Sequence, residues 1–512
     1  MKRLFFLSAL CALLAGNAWS QQLRLPATFG NQMVMQREMP FAVKGKAAAG
    51  AAVEVTLSPL AGDAQTAREK LPGTVRVNAG TDGRFQAMLP PMQAGGPYTL
   101  SVRSGKEELK FDSVYVGEVW ICSGQSNMEM RLREISTAKR DLAMADTLQR
   151  VHLYNMESTC PLYAQVWTEE QIATADRGGF IKPARWVRCS AAHARNFSAI
   201  GFHFARVLAD SLKCHVGIVS NAVGGSTTEG WIDSTTLAAR VPEILQGCWL
   251  DNPNIMGWAR NRAKFNLKNT NPAEHAHPYA PGYLFRAAIR PLEGYPVKGV
   301  LWYQGESNAE LVSMHERLFR TLQESWRKEW NRNDLPFYFV QLSSISTRPT
   351  WPAFRNSQRI LADSLPHTYM TVSSDVGDSL DVHPRNKRIV AQRLAASALH
   401  HAYGYSQVVP NGPRPLKAVS SKPGMVTVYF DTAEGLRWLR GDVLKHFELG
   451  GKTGLYVSAS KVLVQGNTVQ VFASRMSHPT KVRFAWKPFT RAALVNRAGM
   501  PCSTFELEVK AE

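Results

Sequence analysis

Across residues 113–404, short apolar runs alternate with longer stretches in which apolar positions recur every three or four residues. The runs at 115–122, 151–154, 215–220, 297–303, 337–342 and 368–372 have the length of buried strands. The stretches at 197–212, 310–330, 352–364 and 384–401 carry the helical period. Strand and helix in strict alternation predict a parallel sheet with helices on both faces. Pro384 is expected at the first position of the last helix, where its missing N–H costs nothing. Two stretches, 155–195 and 238–282, break the rhythm and read as insertions, the second rich in Asn, Pro and aromatic residues.

The flanks have a different period. In residues 21–112, Val53-Glu54-Val55-Thr56-Leu57 and Tyr98-Thr99-Leu100-Ser101-Val102 alternate with period two, and Thr81-Asp82-Gly83 and Gly95-Gly96-Pro97 mark turns. A small β-sandwich domain is expected there. From 405 to 512 the chain is β-like again, with Met425-Val426-Thr427-Val428-Tyr429-Phe430 and Val469-Gln470-Val471-Phe472 as strands and Gly466-Asn467 as a turn. The expected organisation is therefore an α/β core, 113–404, between two β-domains.

Composition adds three constraints. Lys2 and Arg3, the apolar run 4–15 and Ala18-Trp19-Ser20 have the form of a cleaved secretory signal over residues 1–20. The run is too short to span a bilayer, so no membrane anchor is expected, and export points to the periplasm or the cell exterior. Six cysteines follow the leader; their wide spacing specifies no disulfide pairing, and Cys122 reads as a core thiol. The formal charge of +19 is spread along the chain rather than clustered. It favours acidic polymers or acidic sugars weakly, and no nucleic-acid module is visible.

The chemistry begins at Gly124-Gln125-Ser126-Asn127, where the first apolar run of the core stops. A serine on a turn at the carboxyl end of a strand is well placed as a nucleophile, but it needs a base. His383 lies after the run 368–372, on the same rim of a parallel sheet. Asp381 stands two residues before it, on the same side of an extended chain, and can orient the imidazole. An oxyanion needs preorganised donors. Gly224-Gly225 offers close backbone approach, and Gln304 or Asn308, in Trp302-Tyr303-Gln304-Gly305-Glu306-Ser307-Asn308, offers a side-chain amide. Trp351 and Arg355, four apart on one helix, together with Asn127 and Glu306, are candidate substrate contacts. His275-Ala276-His277 lacks a third residue at metal spacing, so no metal site is expected.

Together these segments resemble the SGNH/GDSL hydrolase superfamily, in its sialate O-acetylesterase-like branch. The likeness is carried by Gly117-Glu118-Val119-Trp120 with Gly124-Gln125-Ser126-Asn127-Met128, by Gly224-Gly225, by the 302–308 segment, and by Asp381-Val382-His383-Pro384-Arg385-Asn386-Lys387. Met33-Val34-Met35-Gln36-Arg37 and the segment 492–501 extend it to both flanks. The resemblance implies a flavodoxin-like three-layer α/β/α core with a parallel sheet. It implies Ser126 as nucleophile, His383 as base and Asp381 as orienting acid. It implies an oxyanion hole made by the Ser126 and Gly225 N–H groups and a side-chain amide, Gln304 before Asn308. It further implies removal of acetyl groups from an O-acetylated sugar or glycan, sialic acid first and plant polysaccharide such as acetylated xylan second, without a cofactor. The alternative of another class is a glycan-binding protein with an inert core.

Overall fold

One strand, β1 (Glu107–Gly124), belongs to two sheets' worth of structure at once. The structure is a computed structural model that describes residues 22–63, 66, 71–163, 165–439 and 443–511; the expected leader lies outside these residues. The first half of β1 pairs antiparallel with Gly95–Ser104, which in turn pairs with Ala52–Pro59. Its second half pairs in parallel with strands on both sides. Burial records the change: from Val116 onward every residue of β1 is buried, whereas exposed and half-buried positions alternate at its start. The division expected near residue 112 falls inside this strand, one residue before Ser113, whose φ is 56°.

The other strands of the central sheet are β2 (Val151–Asn155), β3 (Trp186–Arg188), β4 (Val216–Ala222), β5 (Gly299–Tyr303), β6 (Phe337–Val340) and β7 (Thr368–Thr371). Their order is β7-β6-β5-β1-β4-β2-β3. Every adjacent pair is parallel except β2 with β3 at the edge. From β1 the chain fills one side, with β2 and β4, and then crosses to β5, β6 and β7. Such a reversal leaves a crevice at the carboxyl ends of the strands. Ala222 and Tyr303 both lie in register with Gly124, so three loops leave the sheet at one level.

The helices that bear on the site are α1 (Ser126–Glu129), α2 (Ala199–Leu212), α3 (Val312–Glu329), α4 (Trp351–Ser364) and α5 (Lys387–Tyr403). Side chains that alternate along the strands feed two cores. Trp120, Cys122, Ile218, Leu301 and Tyr303 pack with Phe204 and Leu208 of α2 and Leu394 of α5. Val119, Ile121, Val219, Val300 and Trp302 pack with Leu318, Phe319 and Leu322 of α3. Burial of one such Leu or Phe contributes about 1.5–3 kcal/mol, which outweighs helix propensity in holding α3 and α5 to the sheet.

A third core belongs to the eight-stranded sheet that runs from Tyr456–Ser458 to Lys461–Gln465. The fold is thus mixed α/β, with a largely parallel central sheet and a β region after it. The last helix differs from expectation. It starts at Lys387 after Asn386, and Pro384 lies in the preceding loop. That loop must first carry His383 across to α1, so the helix cannot begin at the proline. The six described cysteines are all free; Cys122 is buried and its thiol donates to the Val219 carbonyl at 3.3 Å. Among the described residues no helix is long and apolar enough to cross a membrane.

Candidate active site

The turn after β1 depends on a close approach that only glycine permits. Gly124 has φ +130°, and a Cβ there would sit 2.2 Å from the Tyr303 carbonyl oxygen. Gln125 then fastens the turn to the loop after β5. Its Oε1 accepts the N–H groups of Gly305 at 3.3 Å and Ser307 at 3.2 Å, and its own N–H donates to the Tyr303 carbonyl at 2.9 Å. The Ser307 hydroxyl donates to the Gly225 carbonyl at 3.0 Å, and the Ser226 hydroxyl to the Gly124 carbonyl at 3.3 Å. Three loops that the sequence separates by about a hundred residues are held as one rigid rim.

On that rim the Ser126 Oγ lies 2.8 Å from the His383 Nε2. The Nδ1 of His383 lies 3.2 Å from the Asp381 Oδ1, which also accepts the His383 backbone N–H at 2.9 Å. Asp381 is itself placed by Asp378, whose Oδ1 accepts the N–H groups of Leu380 and Asp381 at 2.8 and 3.0 Å. A proton on Nδ1 facing Asp381 leaves Nε2 free to accept from the serine hydroxyl. Burial, and then the positive charge of Lys387, hold the imidazole below its ordinary value, while Asp381 opposes them. The arrangement provides a neutral base in contact with a half-buried hydroxyl, which is the requirement for activating a serine.

The donors for an oxyanion differ in part from expectation. The N–H groups of Ser126, at the start of α1, and of Gly225 meet no protein acceptor among the described residues. Gly225 has φ +72°, and a Cβ there would meet the Tyr279 hydroxyl at 2.3 Å. The side-chain amides are already committed. Gln304 Nε2 donates to the Ser226 carbonyl at 3.2 Å and to Asn308 Oδ1 at 2.6 Å, and its Oε1 accepts from the Thr228 hydroxyl at 2.7 Å. Asn308 Nδ2 donates to Glu229 Oε2 at 3.0 Å, and its Oδ1 also accepts the Thr228 N–H at 3.0 Å. Both amides are buried, so releasing either would leave polar groups unpaired at about 1–3 kcal/mol each. Through these bonds Gln304 and Asn308 brace the loop that follows Gly225.

The expected substrate contacts also need correction. Asn127 is fully buried: its Nδ2 donates to Glu306 Oε1 at 2.6 Å and to the Val382 carbonyl at 3.0 Å, and its Oδ1 accepts from the Lys387 ammonium. Glu306 turns inward with it, and burial raises its carboxyl. Trp351 is buried, with its Nε1 donating to the Ser343 carbonyl at 2.6 Å. Arg355 is fully buried and donates to the carbonyls of Ala485, Lys487 and Pro488. The apolar environment of the first turns of α4 draws both side chains away from solvent. His275 pairs with Asp176 at 3.0 Å, and His277 is buried and stacked on Trp167.

Four residues near the serine escaped sequence reasoning. Tyr163 comes from the first irregular stretch, and its hydroxyl would be 2.2 Å from a Cβ on Gly224. Trp258 and Tyr279 come from the second; a Cβ on Gly225 would meet Trp258 at 2.6 Å, and the Tyr279 hydroxyl donates to the Gly224 carbonyl at 2.8 Å. Glu129, on α1, lies against the Gly224 backbone and is pushed up to about 7 by burial. The aromatic richness of the second stretch was the available signal. Nothing local says that it folds over the serine.

Comparison with known proteins gives a consistent set of likenesses. Residues 275–400 match the family described as "Carbohydrate esterase, sialic acid-specific acetylesterase". The sialate O-acetylesterase of Rattus norvegicus is 30% identical over 428 residues, covering 77% of this chain and 76% of that protein. That of Homo sapiens is 29% identical over 420 residues, covering 77% and 74%. The crystal structure of a carbohydrate acetylesterase from Xanthomonas citri superimposes with a TM-score of 0.76 at 29% identity, covering 94% of this chain and 99% of that one.

Proposed function

The chain belongs to the sialate O-acetylesterase family and is a carbohydrate O-acetylesterase, a carboxylic ester hydrolase; from that premise we propose that Ser126, His383 and Asp381 are its catalytic triad. The observation that carries the proposal is the 2.8 Å contact between Ser126 Oγ and His383 Nε2 at the carboxyl rim of the sheet. His383 takes the serine proton as Oγ attacks the acetyl carbonyl. The N–H groups of Ser126 and Gly225 receive the oxyanion. The sugar oxygen leaves with the proton from His383, and the acetyl group stays on Ser126. Water, deprotonated by His383, then attacks that ester; the bond to Ser126 Oγ breaks, His383 returns the proton to Oγ, and acetate departs. The core is read as the flavodoxin-like three-layer arrangement, with regions 21–112 and 405–512 as flanking domains.

The proposed substrate is an O-acetylated sialic acid, which accords with the naming of the relatives and with the basic charge of the chain. Acetylated xylan or another neutral plant polysaccharide is the second reading. It is favoured by the aromatic wall of Tyr163 and Trp258, which can stack on a sugar ring without requiring charge. Residues 1–20 are proposed as an export signal. Acetate release from O-acetylated sialic acid and from acetylated xylo-oligosaccharide, measured side by side, decides the substrate. Ser126→Ala is expected to lower turnover on either by at least about 10³-fold. A variant that keeps wild-type turnover would remove the triad.

A further inference from the structure

Beneath the Ser126–His383 pair lies a fully buried lysine. Lys387 opens α5 and its ammonium donates to Asn127 Oδ1, the residue after the serine. Asn127 passes the connection on: its Nδ2 donates at 3.0 Å to the carbonyl of Val382, the residue before the histidine. The same ammonium lies 5.5 Å from the centroid of the buried Tyr303 ring. Three elements therefore close on one cation: α1, the end of β5 and the loop 381–386. We propose that Lys387 is a positioning residue for ester cleavage: its buried ammonium, clasped by Asn127, locks the histidine loop onto the serine helix and sets a positive charge beside the imidazole. The proposal rests on the reading of Ser126 and His383 as nucleophile and base.

A nearby positive charge disfavours the imidazolium, so it keeps the base free at lower pH. The charged and titratable groups around it are Glu306 from the loop after β5, Asp381 and Arg385 from the histidine loop, and Glu129 and the Tyr163 hydroxyl on the far side of Ser126. Asp381 raises His383; Lys387 and Arg385 lower it. Burial brings Lys387 itself down to about 7, with Glu306 and Asp381 opposing. His383 titrates below its ordinary value, where the ammonium is still protonated. The two effects are therefore compatible.

The acid limb of kcat/KM reports the free base. In the wild-type enzyme it is expected below the ordinary histidine value of about 6.5. Lys387→Gln, which keeps an amide donor for Asn127 but no charge, should move that limb to higher pH and lower kcat/KM about 10-fold to 100-fold, the cost of a loosened base. Lys387→Arg should restore the limb, in part or in full. A purely structural role would change the amplitude and leave the limb in place, and that result overturns the proposal. A wild-type limb at or above the ordinary histidine value overturns it too, without need of a variant. Turnover by Ser126→Ala would instead sink the triad, so the two failures are separable.

Discussion

Arg355 and Lys387 are two cations fully sealed from solvent, each near the start of a helix that flanks the sheet. Their partners differ. The Arg355 guanidinium spreads over three carbonyls of the segment 485–488 and the Ser344 hydroxyl, joining the α/β core to the C-terminal sheet. Burial lowers it to about 9, still charged at neutral pH. The Lys387 ammonium has one amide oxygen and one aromatic face, and burial takes it to about 7. A planar fork suits many fixed acceptors, whereas a compact ammonium is a point charge that titrates readily when buried. The number of acceptors around a buried cation thus separates a clamp from a device that acts on its neighbours.

Striking the two regions should give opposite signatures. The largest effect is expected beside Lys387. Asp381→Asn keeps the shape of the loop but removes the carboxylate that holds the His383 tautomer, and should lower kcat/KM about 10³-fold with little change in the unfolding midpoint. A loss of stability in place of a loss of rate would erase the contrast. Next comes the clamp. Arg355→Met leaves several buried carbonyls without a donor and should cost about 3–5 kcal/mol in denaturant unfolding. The folded fraction should keep wild-type kcat/KM, because the guanidinium touches nothing at Ser126. A matching fall in kcat/KM would tie the C-terminal sheet to the site.

The smallest effect sharpens the comparison from the anionic side. Glu229, fully buried against Asn308, is raised to about 7 by burial. The ordinary value of a glutamate carboxyl is 4.5, so between 4.5 and about 7 the folded protein holds a proton that the unfolded chain has released. The contribution of Glu229 is full below that window and is lost as pH rises through it. Glu229→Gln should flatten this part of the pH–stability curve by a single-proton slope, read from chemical unfolding at several pH values. An unchanged slope would mean that the carboxyl stays ionised against Asn308.

The strands and helices of the core were legible because apolar period reports which faces a segment buries. The runs that became β2, β4, β5, β6 and β7 were bounded within a few residues, as was the serine turn after β1. Asp381 and His383 were legible by their spacing, although the chain bends there instead of running extended, and Asp381 Oδ1 accepts the His383 N–H at 2.9 Å across the bend. The helix start at Lys387 was misread because proline favours a first turn locally, while the path of the histidine loop is a tertiary demand. Gln304, Asn308, Trp351 and Arg355 have partners the sequence did not foretell, for a related reason. An amide or guanidinium has the same donors wherever it stands, and only its surroundings say whether they are spent.

From the chain alone came the alternation of strand and helix, the glycine-bounded serine turn and the three chemical groups that meet at one rim. These depend on local period, local turn geometry and residue type. The folded molecule decided that Asn127 faces a buried ammonium, that Gln304 donates to Asn308, and that Tyr163 and Trp258 lie against the Gly224-Gly225 turn. Those pairings join residues separated by up to 260 positions. A polar group's role is set by the partner that fills its hydrogen bonds, and periodicity carries no record of that partner.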